Sequence, residues 1–146
     1  MRQVAQRMMA FGCLMAPAIA SAQTVIDPRI THDVASSSAR LAQSGYVPIF
    51  NQTDGTLPKD GERALDMPLE AGKTYYFISL CVDDCEGTNM ILIGPSGIVE
   101  QDLEYNQRSN VLIHTTKERG SYRLVYFMKV CKLPACDYAI NIYGHK

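Results

Sequence analysis

The stretch SYRLVYFMKV at residues 121–130 decides the fold. Alternate positions put Tyr122, Leu124, Tyr126, Met128 and Val130 on one side, and Arg123, Val125, Phe127 and Lys129 on the other. Successive side chains of an extended strand point to opposite faces, so one face is wholly apolar and the other carries a cation at each end. That is the pattern of a central strand with one face on a core. A helix would need an apolar stripe at i, i+3, i+4 and i+7, and no window in these runs keeps that spacing.

Other short apolar runs lie on either side of it. Upstream are YVPIF (46–50), ALDMPL (64–69), KTYYFISLC (73–81), MILIGPSGIVEQDL (90–103) and NVLIHT (110–115); downstream is CDYAINIYG (136–144). They alternate with stretches rich in turn residues: NQTDGTLPKDG (51–61), VDDCEGTN (82–89), TKERG (116–120) and KLPA (132–135). Within 90–103, Pro95 presets φ at the corner of a Gly-Pro-Ser-Gly turn whose glycines are unrestricted, so this run reads as two strands. The β-branched and aromatic content of the runs agrees with strands. Roughly eight short strands with turns every 8–12 residues predict an all-β sandwich or barrel.

The first line of the sequence predicts a compartment. Two arginines and no acid precede an apolar run over residues 8–20, which ends at Ala20-Ser21-Ala22. A basic start, an apolar centre and an A-x-A site form the pattern of a secretory signal peptide, with cleavage after Ala22. The run is short of the roughly 20 residues that cross a bilayer, and Pro17 interrupts it. Cys13 lies inside the apolar run with no Leu placed for lipid attachment, so it leaves with the signal. Cleavage takes Lys plus Arg from 14 to 12 against 15 acids, a net charge of −3, and shortens the 146 residues to 124. That length fits one domain. A mildly acidic chain without charge clusters excludes the footprint of a nucleic-acid binder, and no second apolar stretch predicts membrane insertion after cleavage. Residues 23–44, with VASSSARLAQS, read as a flexible leader or a short helix. Residues 45–146 are the sandwich domain.

From Leu69 onward particular residues become familiar. Leu69, Ala71, Gly72, Tyr75 and Phe77 form Leu-x-Ala-Gly-x-x-Tyr-x-Phe; Pro95, Ser96 and Gly97 form a turn; Gly120, Tyr122, Leu124 and Tyr126 follow as Gly-x-Tyr-x-Leu-x-Tyr. In this the chain resembles the bacterial pre-peptidase C-terminal (PPC) domain and its exported stand-alone relatives, over about residues 45–143. The resemblance implies a jelly-roll-like antiparallel β-sandwich of about eight strands. It also implies an accessory to secreted enzymes with a binding or targeting role, and no catalysis. Relatives often carry an Asp-Leu-Asp-Leu run after the second cysteine, where this chain has GTNMILI.

Four cysteines remain after cleavage, Cys81, Cys85, Cys131 and Cys136. An even number in an exported chain favours disulfides. Their spacings are not Cys-x-x-Cys, which disfavours a redox motif, and neither a knuckle glycine nor a nearby histidine supports structural zinc. Residues four apart on a strand are about 13 Å apart, whereas a disulfide wants Cα atoms roughly 4.4–6.8 Å apart. Pairing of Cys81 with Cys85 and Cys131 with Cys136 therefore requires a fold-back at each site, which Asp83-Asp84 and Pro134 favour. Cross-pairing is the competitor.

No other motif carries chemistry. Asp83, Asp84, Glu86 and Asn89 offer oxygens for calcium, but their order is not that of an EF-hand loop, and the preferred reading is a solvated turn. His32, His114 and His145 are scattered, and neither Gly-x-Ser-x-Gly nor His-Glu-x-x-His occurs. Glu100 and Asp102 share one strand parity and read as a solvent face. Asn51-Gln52-Thr53 is a glycosylation acceptor only in a host with that machinery. The expectation is an exported, non-catalytic module without cofactor or metal, periplasmic or secreted. It would bind an unidentified protein, glycan or cell-envelope component, as an accessory or inhibitor of a secreted enzyme. Eight tyrosines and no tryptophan lean the same way, since exposed tyrosines make amphipathic anchors. The alternative is a small periplasmic hydrolase with a spatially assembled triad.

Overall fold

A computed structural model of the protein describes residues 27–82, 84–104 and 106–145. The expected signal peptide over residues 1–22, residues 23–26 and Asp83 therefore lie outside the described residues. Helix α1 (Pro28–Gln43) is followed by β1 (Tyr46–Pro48), β2 (Thr53–Leu57), β3 (Glu62–Leu69), β4 (Thr74–Cys81) and β5 (Cys85–Gly94). Then come β6 (Gly97–Asp102), β7 (Ser109–Thr115), β8 (Gly120–Cys131) and β9 (Cys136–His145).

The strands form two antiparallel sheets, β1-β9-β4-β7, with β2 also paired to β9, and β3-β8-β5-β6. Four of the pairings nest: β2 with β9, β3 with β8, β4 with β7 and β5 with β6. The chain is thus one long hairpin whose tip is the β5–β6 turn, wound so that alternate rungs fall in opposite sheets. β4 with β9 and β5 with β8 then close each sheet across the winding. This is the jelly-roll form of an all-β sandwich.

β8 is central in its sheet, between β3 and β5. Its side chains Tyr122, Leu124, Tyr126 and Met128 are buried, whereas Val130 is only half-buried. The exception falls where the β5–β8 register slips between Gly87 and Thr88. Facing this row across the core are Phe77, Leu112, Ile140 and Ile142 from the other sheet. Burial of such side chains, each worth roughly 1.5–3 kcal/mol, dominates the stability.

One segment departs from the sequence expectation and another falls on one of its two alternatives, the helix, and both show what tertiary packing adds. The turn-rich run 51–61 contains β2, which accounts for a ninth strand among the described residues. Its five residues pair with β9 from Thr53↔Ile140 to Leu57↔Cys136. Gly55 lies beside its register partner Tyr138, whose hydroxyl a Cβ there would meet at 3.5 Å, an ordinary contact. Within residues 23–44, α1 starts at Asp27, whose carboxylate accepts from the Arg29 N–H at 2.8 Å, with Pro28 opening the first turn. That is an N-cap followed by proline, both favoured there. Ile30 is 2% exposed, and Ser38 Oγ lies 2.8 Å from the Tyr143 hydroxyl. The helix covers the outer face of the five-stranded sheet, so Ala139, Asn141 and Tyr143 of β9 are buried on that side too.

Candidate functional site

The two ends of the sandwich are built differently. At one end β4 turns into β5 and β8 into β9, and each turn is closed by a disulfide. Cys81 is joined to Cys85 and Cys131 to Cys136, with Cα separations of 6.0 and 5.9 Å. Cys85 and Cys131 are register partners on β5 and β8, so the two staples sit side by side. Lys132 N–H donates to Asp84 O at 2.9 Å, joining one turn to the other. Among the described acidic-turn residues, Glu86 pairs with Lys132 Nζ, and the Asn89 amide oxygen is buried without a partner. Among the described residues no group of three or more His, Cys, Asp and Glu side chains is placed to hold a metal ion.

At the opposite end the chain reverses three times without a cysteine, and Thr116 ties two of the turns together. Its hydroxyl donates to Lys73 O at 3.1 Å and to Glu70 O, and accepts from Lys73 N–H. Thr116 O accepts from Gly72 N–H at 2.7 Å, and Gly72 sits at φ +74°, a conformation glycine adopts freely. The Tyr75 hydroxyl accepts from Glu70 N–H.

Beside this end, the last strands of the two sheets, β6 and β7, border a cleft of about 630 Å³. Ser96, Ile98, Glu100, Ile113, His114, Lys117, Glu118 and Tyr122 line it. A register shift in the β5–β6 ladder between Leu92 and Ile93 sets how Glu100 is presented, which is what a β-bulge does beside a site. Glu100 Oε1 lies 3.1 Å from His114 Nδ1. His114 is buried on the inward parity of β7, with Asn110 and Leu112. Ser96 Oγ donates to Glu118 Oε1 at 3.1 Å, and the Tyr122 hydroxyl donates to Glu118 O at 3.0 Å. Burial pushes the Tyr122 phenol above its ordinary range, with Glu118 adding to the effect, so this hydroxyl stays protonated and works as a donor.

The reading of Glu100 and Asp102 as a solvent face is corrected. Both are half-buried; Glu100 engages His114, and Asp102 Oδ1 accepts from Gln107 Nε2 at 2.7 Å. β6 is an end strand lying against β7, so its inward parity meets polar partners across the gap between sheets. The three histidines are not gathered. His32 is exposed on α1 beside Asp33, and the His145 ring lies against Tyr46 with centroids 4.0 Å apart. Ser96, Lys117 and Glu118 were legible only as turn residues; that both turns flank one cleft follows from the nesting of the strands. Leu69, Tyr75, Phe77, Tyr122, Leu124 and Tyr126 of the family-like motif are buried core, while its glycines serve turns and close approaches.

No protein-family model matches the chain, and no curated protein matches it. Among the described residues no helix is long and apolar enough to cross a membrane.

Proposed function

We propose that the chain is an exported, non-catalytic β-sandwich module, an accessory of a secreted enzyme, that binds a hydroxyl-rich cell-envelope component such as a glycan in the β6–β7 cleft. The observation that carries this reading is the pair of carboxylates, Glu100 and Glu118, each steadied by an internal partner within one cleft. A carboxylate accepts hydrogen bonds from two neighbouring hydroxyls, and charge-assisted bonds of this kind are stronger than neutral ones. Holding the side chains in place beforehand lowers the entropy lost on binding. Ile98 and Ile113 give the rim an apolar surface for the C–H face of a sugar. The PPC-like motif supports an accessory role.

One observation favours a second reading, a small periplasmic hydrolase: the His114–Glu100 pair has the geometry of a general base and its orienting carboxylate. A single panel separates the two, combining titration with envelope saccharides and a generic esterase and peptidase screen. Saccharide binding that weakens at least about tenfold in Glu100→Gln or Glu118→Gln, without turnover, is the expected result. Turnover abolished by His114→Ala in a folded protein selects the hydrolase.

A further inference from the structure

The four ends of the two sheets are not protected alike. An exposed edge strand offers unpaired backbone groups to another chain, and proteins blunt such edges with charge, proline, bulges or brevity. β1 has three residues including Pro48, and the short β2 carries Asp54 and Gly55. β3 carries Glu62, Arg63, Asp66 and Pro68. β6 has its register shift together with Glu100 and Asp102. β7 has none of these devices. Its seven residues, SNVLIHT, contain no acid, lysine, arginine, proline or glycine, and they pair with β4 without a break from Thr74↔Thr115 to Leu80↔Ser109.

β7 also presents apolar surface. Val111 is 48% and Ile113 51% exposed, both on its outer face. Helix α1 covers the neighbouring strands and stops short of β7. Between them remains a hollow of about 280 Å³, with Leu41 of α1 facing Ile78, Leu80 and Val111.

We propose that β7 is the dimerisation edge of this protein, pairing antiparallel with β7 of a second copy about a two-fold axis at Leu112. The sequence of the strand argues for a second copy as the occupant. In that register Val111 of one copy faces Ile113 of the other, so the two central outer-face pairs are apolar, and Ser109 faces Thr115 beyond them. Asn110 faces His114, so no like charges meet. An interface of this kind uses the same patch twice and closes on itself. Opposed apolar pairs are what an antiparallel ladder rewards.

Sedimentation velocity from about 1 to about 200 µM tests this, a range suited to an interface of modest area. The expected result is a monomer–dimer equilibrium that Val111→Lys and Ile113→Lys each weaken at least about tenfold, since lysine blunts an edge. Ile98→Lys, on β6, should leave it unchanged. Val111→Glu and Ile113→Lys combined in one chain should restore dimers, because the two positions face each other across the axis. Melting temperatures close to the parent's show that the monomeric variants are folded. Val111 does not line the cleft, so saccharide binding kept by monomeric Val111→Lys separates this inference from the cleft reading. A monomer at every concentration overturns the proposal and leaves the edge to a strand of another protein. A dimer indifferent to both lysines, or a mass that grows past two copies, overturns it as well.

Discussion

One end of the sandwich is closed by two disulfides and the other by hydrogen bonds around Thr116, although both ends face the same problem of reversing strands over a packed core. At the first end the constraint acts on the unfolded chain, which loses freedom before folding begins. At the second the constraint exists only in the folded state, because the carbonyls of Glu70 and Lys73 find their donor only when Thr116 arrives from 43 or more residues away. The covalent end adds to its staples the bond from Lys132 N–H to Asp84 O and the Glu86–Lys132 pair. The hydrogen-bonded end has to be assembled cooperatively, and it borders the cleft.

The largest effect that could break this comparison is removal of the staples. Each closes a loop of only a few residues, for which chain entropy gives about 2 kcal/mol. Replacing all four cysteines with serine should cost about 4 kcal/mol and lower the melting temperature by roughly 10–20 °C. Thermal unfolding of each two-cysteine variant and of the four-cysteine variant reads it. Near-equal, additive losses fit two independent local staples, whereas a loss confined to one pair would show that the ends are not divided as described.

Next comes Thr116→Val. Valine keeps the shape and removes the hydroxyl, leaving Lys73 N–H and the carbonyl of Glu70 without it. Unsatisfied buried groups cost about 1–3 kcal/mol, so the expected loss is about 2 kcal/mol, half that of the stapled end. The same variant should raise amide exchange at Gly72 and Lys73 while leaving Cys81 and Cys85 protected. Protection lost equally at both ends would dissolve the distinction.

Gly94→Ala sharpens the comparison at the cleft itself. A Cβ at Gly94 would lie 2.9 Å from a Tyr122 ring carbon and 3.0 Å from a Val99 methyl. Overpacking of this kind costs about 1–3 kcal/mol; the Val99 side chain at the cleft rim can yield, but the buried Tyr122 ring has to move as well, so the expected cost is about 2 kcal/mol. The displaced Tyr122 ring should shift the His114 ring resonances, since the two centroids are 6.0 Å apart. Unchanged His114 resonances would show that the cleft is insulated from the core beneath it.

The parts legible in the sequence are those encoded at short range. The parity of residues 121–130, the turn at Pro95 and the closeness of the cysteines within each pair all depend on neighbours a few positions apart, and each is found in the fold. β2 was hidden because TDGTL has weak intrinsic strand preference and becomes a strand through β9. α1 was only half legible, as a flexible leader or a short helix, because only Ile30, Val34 and Leu41 mark its inner face, with serines and alanines between them. Its cap was readable, however, as Asp27-Pro28 before a run without glycine. The cleft was the least legible part. Glu100 and His114 are 14 positions apart on different sheets, and nothing in either strand alone says that their inward parities meet.

The smallest expected effect concerns where α1 begins, against the stapled end, beside Leu80 and Val82. The Arg29 side chain and the Arg29 backbone N–H both donate to the Asp27 carboxylate and lower its pKa from 3.8 to about 2. A carboxyl whose folded pKa is depressed contributes stability that is fully present above its unfolded value and is lost as pH falls through the folded value. The cap should therefore hold unchanged down to about pH 4 and release between there and about pH 2. The carboxylate is exposed, so its release should fray the first turn rather than unfold the domain. Amide exchange at Arg29 and Ile30, followed down the pH scale against the exchange of Leu92 in the core, isolates that local event. Asp27→Asn keeps an oxygen that can cap the helix and removes the charge, so its first turn should show no such transition. If Arg29 and Ile30 in the parent lose protection only together with Leu92, the helix start is not an independent unit, and the stapled end owes more of its order to α1 than to its disulfides.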